Sequence, residues 1–178
     1  MLGRGHAEQL VPMIRALPDH GRADRIAVAL GPGSFTGIRV GLAAAKALAI
    51  AWQAGLVGYH THGLLAAQTQ EQIGPVAVVI ANTGGHGEWF VQQFGANGMP
   101  EAEVTSAPPQ QAAESFDAEF VAGSQAEAMV AMRGKGTAIP LWPDARHFAA
   151  LDPVLLTDDV RPAYGRGPDA KLPGQAGR

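Results

Sequence analysis

Apolar positions along the chain switch between two periods, and the switches mark its elements. Ala7, Leu10, Val11, Ile14 and Leu17 recur at three- and four-residue spacings, which predicts an amphipathic helix over residues 7–17. Pro12 has no N–H and its ring clashes with the carbonyl four residues back, so it must lie in the first turn or bend that helix. After a polar turn at 18–25, the unbroken apolar run from Ile26 to Leu30 meets Gly31, Pro32 and Gly33, which reads as a buried strand ending in a glycine loop. Residues 37–53 then place Ile38, Leu42, Ala45, Leu48, Ala49 and Trp52 on one helical stripe, with Gly41, Ala44, Ala47 and Ala51 around its flank. A short strand at 56–59 and a third helix at 62–72 continue the alternation of an α/β fold.

The second half opens with an apolar run at 75–81. A glycine-rich turn at 82–87 joins it to 88–94, and the pair predicts a β-hairpin. An edge strand near 102–105, helices at 109–116, 125–133 and 145–151, and a strand at 119–122 complete the reading. The division near residues 60–75 separates an N-terminal α/β lobe, 1–60, from a C-terminal α/β lobe, 61–164. Beyond Thr157 proline, glycine, aspartate and arginine dominate without periodicity, so 165–178 is expected to be a flexible tail.

Composition narrows the function more than the fold. The chain has 178 residues, 47% of them hydrophobic, enough for one medium domain or two small lobes with a real core. Only 16% are charged, against roughly 25% in soluble domains, while 33 alanines, 23 glycines and 13 prolines permit close packing but carry little chemistry. Thirteen basic and sixteen acidic residues give a net charge of -3, which offers no broad cationic surface to a phosphate backbone and disfavours autonomous nucleic-acid binding. The absence of cysteine excludes disulfides, thiol catalysis and thiolate-bound metal, and fits a cytoplasmic location. The first ten residues lack the apolar run of a signal peptide. The most apolar stretch, 40–52, is interrupted by Lys46 and is too short to cross a bilayer, so no membrane association is expected.

The sharpest candidate for chemistry is the loop Gly31, Pro32, Gly33, Ser34, Phe35, Thr36, Gly37 between a strand and a helix. Glycines there let backbone N–H groups approach an anion at a helix N-terminus. Its spacing has one residue too many for the dinucleotide fingerprint, and no lysine follows Gly37 as a Walker A loop requires. The alternative is a tight turn in which Ser34 or Thr36 caps the helix. Ser34 is not a hydrolase nucleophile, because Pro32 and Thr36 occupy the glycine positions of the G-x-S-x-G elbow. His60 and His62 would share a strand face but lack a third ligand, and no H-x-x-x-H stands anywhere in the chain. Glu88 beside Trp89 and Phe90 reads as a general acid or base if buried, or as the polar first residue of a hairpin strand. The charges Asp158, Asp159, Arg161, Arg166 and Asp169 form a solvated cluster. Helix 37–53 is apolar or small around most of its circumference, either because its own domain surrounds it or because it also packs on a partner.

Three blocks of residues resemble the bacterial TsaB (YeaZ) family of tRNA threonylcarbamoyladenosine synthesis. Arg4, Gly5, His6, Ala7 and Glu8 with Leu10 and Pro12 resemble the family's first-helix segment. Residues 31–43, with Arg39 inside them, are similar almost residue for residue to its signature. Tyr164, Arg166 and the Pro168, Asp169, Ala170, Lys171 run resemble the end of its alphaproteobacterial members. Gly87, Glu88, Trp89 and Phe90 are similar to the second-lobe hairpin, without the acidic and arginine residues that usually precede it.

The resemblance implies a two-lobed actin/sugar-kinase/Hsp70-like fold and a non-catalytic subunit with no cofactor and no metal site. It implies pairing with a TsaD-like transferase, joined by a TsaE-like ATPase, with tRNA reached only through the complex and homodimerisation when the partner is missing. The pairing surface maps to the first two helices, through His6, Leu10, Ile14, Leu17, Ile38, Leu42, Ala45 and Ala49. Family members begin with a strand ending in D-T-S and a hairpin, and this chain starts at the helix that follows. Either the true start lies upstream, or the first lobe is truncated and leaves a sheet edge open beside Ile26 to Leu30. A nucleotide-binding enzyme of sugar-kinase type, and more remotely a peptidase acting on the partner, are the rival readings.

Overall fold

The computed structural model describes residues 6–165, with side chains from Glu8 onward. Arg4, Gly5, the side chains of His6 and Ala7, and residues 166–178 lie outside the described residues, so most of the expected tail and the Arg166 to Lys171 resemblance go without structural account.

Among the described residues eight strands build two sheets. β1 (Arg25–Gly31) and β2 (Gly55–His60) run parallel with Ile26 opposite Leu56, and α2 (Phe35–Trp52) is the crossover that parallel strands require. β8 (Leu156–Thr157) adds antiparallel to β2, giving the order β1-β2-β8. The second sheet has the order β5-β4-β3-β6-β7. Its centre is the hairpin of β3 (Val78–Thr83) and β4 (Trp89–Phe94), flanked by β5 (Thr105–Ala107) and by the parallel strands β6 (Phe120–Ala122) and β7 (Thr137–Ile139).

The continuous apolar run of β3 follows from burial on both faces. Val79 and Ala81 point into a cluster with Val121, Ala112, Ala113, Ala126 and Met129, beneath α4 (Pro109–Ser115) and α5 (Ala126–Arg133). Val78 and Ile80 point the other way, against Leu65 and Ala66 of α3 (Thr61–Ile73), with Phe94 and Leu141 alongside. On its first-sheet side α3 brings Leu64 against Tyr59 and Leu151. α3 is thus the shared layer between the two sheets, and His62, Gly63, Leu64, Leu65, Ala66, Gln68 and Thr69 are all buried. Beyond the first sheet, Ile38, Leu42 and Ala45 of α2 cover Val28 and Leu30.

Several expectations are corrected. The C-terminal lobe drawn as 61–164 does not stay with the second sheet, because β8 pairs with β2 and Val160 and Ala163 pack into the α2–β1 core. β7 and β8, of three and two residues, are too short to leave a period in the sequence. Residues 145–151 form the 3-10 turn Ala145–Ala150 rather than an α-helix. The edge strand shifts from 102–105 to Thr105–Ala107. α1 (His6–Arg15) runs through Pro12, which sits beyond its first turn; Pro12 forgoes the bond to the Glu8 carbonyl while its own carbonyl still accepts from Ala16 N at 3.1 Å. α2 extends to 18 residues with a mean hydropathy of 1.3, long and apolar enough to span a bilayer, so the expectation that its apolar stretch is too short is withdrawn. Its buried stripe packed on β1 is that of a helix covering a sheet.

Burial pushes His62 down to about 3, with the charge of His60 adding to the effect, so the ring is neutral in the folded chain. The unfolded chain regains an ordinary histidine, which binds protons that the folded chain refuses between about pH 6.5 and 3. Folding stability must therefore fall with pH across that window, by up to about 1.4 kcal/mol per unit from this group. Denaturant titrations at pH 7.0 and 5.0 are expected to show the loss, and His62→Gln to flatten that part of the slope. Leu65→Ala, at the completely buried centre of α3, is expected to cost about 2–5 kcal/mol in the same measurement.

Candidate functional site

The glycine loop begins where β1 ends. Gly31 has φ 116° and is followed by a cis peptide to Pro32; a Cβ at Gly31 would overlap the Ala163 carbonyl oxygen, so glycine is required both by the dihedral and by the close approach. Ala163 N donates to the Leu30 carbonyl at 2.8 Å. The C-terminal strap therefore lies directly on the loop, and a Cβ at Gly165 would crowd Pro32 and the Phe90 ring.

The polar residues of the loop are spent on structure. Ser34 is the N-cap of α2: its Oγ accepts from Gly37 N at 3.3 Å and its carbonyl from Ile38 N at 2.9 Å. That settles the capping residue as Ser34; Thr36, Gly33 and Phe35 are exposed, and Pro32 is buried. Arg39 lies one turn further on, its guanidinium 3.7 Å from the Phe35 ring centroid. Its Nε donates to the Tyr164 hydroxyl at 2.9 Å, and the Phe35 and Tyr164 rings stand 5.0 Å apart. Loop, helix start and strap are thereby fastened together by an exposed stack of three side chains.

Beside the loop opens a groove of about 770 Å³. Ile26, Ala27, Val28 and Ala29 of β1 line it together with Leu10 and Ile14 of α1, as do Asn82 and Thr83 of β3, Ser124 after β6 and Trp142 after β7. Those polar residues are engaged with one another: Asn82 Oδ1 accepts from Ser124 N at 3.0 Å, Ser124 Oγ from Thr83 N at 3.1 Å, and Thr83 Oγ1 from Gln125 Nε2 at 2.7 Å. Among the described residues no strand pairs with the groove-side edge of β1, and no group of three histidine, aspartate or glutamate side chains is placed to hold a metal ion. His60 is exposed at the end of β2, whereas His62 is buried inside α3; the shared face expected from their spacing does not exist, because a helix begins between them. Glu88 is half-buried, and its Oε2 accepts from Ser106 Oγ at 2.6 Å.

The residues assigned to a partner surface divide into two sets. Ile38, Leu42 and Ala45 face inward as core and are corrected on that ground; Ala49 is half-buried. Leu10 and Ile14 are half-buried on the groove, Leu17 is 55% exposed, and the His6 side chain lies outside the described residues. What α2 turns outward is a different stripe, Phe35, Arg39, Ala43, Lys46, Ala47 and Ile50, of which Ile50 is 81% exposed. Helical periodicity finds this stripe as readily as the inner one, but does not say which of two apolar faces the sheet takes.

Residues 1–119 match the family model of TsaD, tRNA N6-adenosine threonylcarbamoyltransferase. The chain belongs to this family, among its TsaB (YeaZ)-type members. It is 31% identical over 111 residues to the tRNA threonylcarbamoyladenosine biosynthesis protein TsaB of Escherichia coli K12, covering 58% of this chain and 48% of that protein. The tRNA N6-adenosine threonylcarbamoyltransferase of Koribacter versatilis is 29% identical over 130 residues, 66% of this chain and 34% of the enzyme. The chain thus spans a third to a half of the length of these curated relatives. YeaZ from Pseudomonas aeruginosa superposes with a TM-score of 0.67 at 25% identity, covering 83% of this chain and 76% of that one. The mixed α/β architecture with two sheets is therefore the fold that YeaZ shares.

Gly31→Ala is expected to lose about 1–3 kcal/mol in chemical denaturation, since the strap must move off the loop. Arg39→Ala removes an exposed bond and stack, and is expected to cost less than about 1.5 kcal/mol.

Proposed function

We propose that this chain is a non-catalytic TsaB-type subunit that supports a TsaD-like transferase in the threonylcarbamoylation of tRNA adenosine. In this role the chain is a two-lobed actin/sugar-kinase/Hsp70-like subunit, with 1–60 in the first lobe and the bulk of 61–164 in the second. The observation that carries it is the surface of α1 and α2. Of nine large apolar side chains exposed among the described residues, five belong to this region: Val11, Met13, Leu17, Phe35 and Ile50. A helix with one buried face and a second apolar face, bordered by Ala43 and Ala47, offers the close backbone approach that helix-on-helix pairing uses. The same surface would serve a homodimer when the transferase is absent. A TsaE-like ATPase would join through the pair, tRNA would be met only by the complex, and the assembly would work in the cytoplasm.

The loop geometry supports a supporting role over the rival nucleotide enzyme. Gly37 N–H is already capped by Ser34, and the strap residue Ala163 occupies the approach to Gly31. Among the described residues no catalytic triad or dyad accompanies this loop for a peptidase, and Ser34 is spent as the cap of α2. Calorimetry with ATP and Mg²⁺ separates the readings, since the enzyme should bind nucleotide alone with saturating heat and the subunit should not.

The pairing test uses the outward stripe. Ile50→Glu and Ala47→Glu are expected to leave the thermal midpoint within about 2 °C of wild type while abolishing co-elution with tagged TsaD from the same genome. Leu42→Glu buries a charge in the α2–β1 core and is expected to fail by unfolding instead. Unchanged co-elution of both outward variants would overturn the assigned surface.

A further inference from the structure

The chain has two asparagines, and the structure treats them differently. Asn82 lies in β3, where its Oδ1 accepts from Ser124 N at 3.0 Å and the next N–H, of Thr83, is given to Ser124 Oγ at 3.1 Å. Asn97 is exposed in the turn that follows β4, and the residue after it is Gly98, with φ 78°. Gly98 N donates to the Gly95 carbonyl at 3.0 Å and Gly95 N to the Met99 carbonyl at 2.9 Å, which closes the turn. Gln70 of α3 donates to the same Gly95 carbonyl at 2.9 Å, so the turn is one of the places where the hairpin is fastened to the helix.

Three features of this turn favour attack of a backbone nitrogen on the Asn97 side chain. Glycine puts no Cβ beside the attacking Gly98 nitrogen. Asn97 Oδ1 accepts from Met99 N at 3.1 Å, a donor aimed at the oxygen on which negative charge develops when Cγ is attacked. The Gly98 amide is freed by local opening of one exposed turn, whereas freeing the Thr83 amide disturbs a strand at the centre of the sheet. We propose that Asn97–Gly98 is a site of deamidation and isomerisation in the folded protein, with water as the only co-reactant. The Gly98 nitrogen gives its proton to solvent hydroxide and bonds to Asn97 Cγ. The Cγ–Nδ2 bond breaks, and the side-chain nitrogen takes a proton from water and leaves as ammonia, so that a five-membered imide remains. Water then cleaves one of the two bonds from the imide nitrogen. Cleavage at Cγ gives aspartate; cleavage at the backbone carbonyl carbon of residue 97 gives isoaspartate, in which the main chain runs through Cγ.

Both products alter the fastening. A Cβ at Gly95 would stand 2.9 Å from Asn97 Oδ1 and 2.8 Å from Glu101 Oε1, so a new carboxylate at 97 meets a second anion close by. Isoaspartate also lengthens the main chain by one atom, which displaces the two hydrogen bonds that close the turn.

The test incubates the whole folded chain at 37 °C and pH 8, with a synthetic peptide of residues 89–101 beside it. Digestion after glutamate at low pH then frees residues 89–101 and 72–88, one asparagine in each, for separation and mass spectrometry. The expected result is that 89–101 from the folded chain splits into aspartate and isoaspartate forms, each heavier by the exchange of amide for acid, at least about tenfold faster than 72–88 is modified. The rate is expected to rise from pH 7 to pH 9, because the attacking nitrogen must lose its proton. Asn97→Gln, which would need a six-membered ring, is expected to abolish the acidic charge variants while the thermal midpoint stays within about 2 °C of wild type. Absence of conversion at Asn97 in the folded chain overturns the site, and conversion of the synthetic peptide alone would identify the turn as its protector. Equal rates at Asn97 and Asn82 overturn the part given to Gly98 and the turn.

Discussion

Everything in this fold hangs on one helix with two apolar faces. α3 presents Leu64 to the first sheet and Leu65 with Ala66 to the second, so neither sheet completes its core without it. At roughly 25 cal/mol per Å² of apolar surface, full burial of each leucine is worth about 2 kcal/mol, and the same helix counts that gain on both sides. Polar residues on α3 are therefore drawn inward with it. His62 is held neutral, Thr69 gives its hydroxyl to the Leu65 carbonyl at 2.8 Å, and Gln70 bridges the Val76 and Gly95 carbonyls at 2.7 and 2.9 Å. These bonds tie α3 to the chain that leads into β3 and to the turn after β4, which fixes how the hairpin leaves the helix.

The glycine loop illustrates how a motif that looks chemical becomes architectural. Glycine at 31 is needed because another segment of backbone rests on it, Ser34 is consumed by its own helix, and Arg39 reaches to Tyr164, 125 residues further along the chain. Backbone N–H groups at such a loop bind an anion only when they are free and approachable, and here the first turn is capped and the strap covers one side. The residues most similar to the family signature thus join β1, α2 and the C-terminal strap into one unit. That unit carries the outward stripe of α2, Phe35, Arg39, Ala43, Lys46, Ala47 and Ile50, on its surface.

An unpartnered edge and an unpartnered helix face belong to the same region. β1 has no strand on its groove side among the described residues, and α2 has apolar residues on both sides. Burial by a neighbouring molecule is the general remedy for such surfaces, since water hydrates neither apolar stripe nor open ladder without cost.

Period and punctuation in the sequence determined the core of the fold. The buried strand before Gly31, the long helix after it, the hairpin around residues 82–87 and the helices over α4 and α5 all emerged within a few residues, because each carries enough apolar positions to express its period. The capping role open to Ser34 was legible from its residue type before a helix. Elements of two or three residues were not: β7 and β8 exist only because a neighbouring strand already offers hydrogen-bond partners at that place. Tertiary structure decided that the C-terminal segment returns to the first sheet and which face of α2 is core. Arg39 and Lys46 mark the outer side of α2 only weakly among its alanines and Ile50; the sheet that the helix meets completes the choice, and Val28 and Leu30 of β1 made it for Ile38, Leu42 and Ala45.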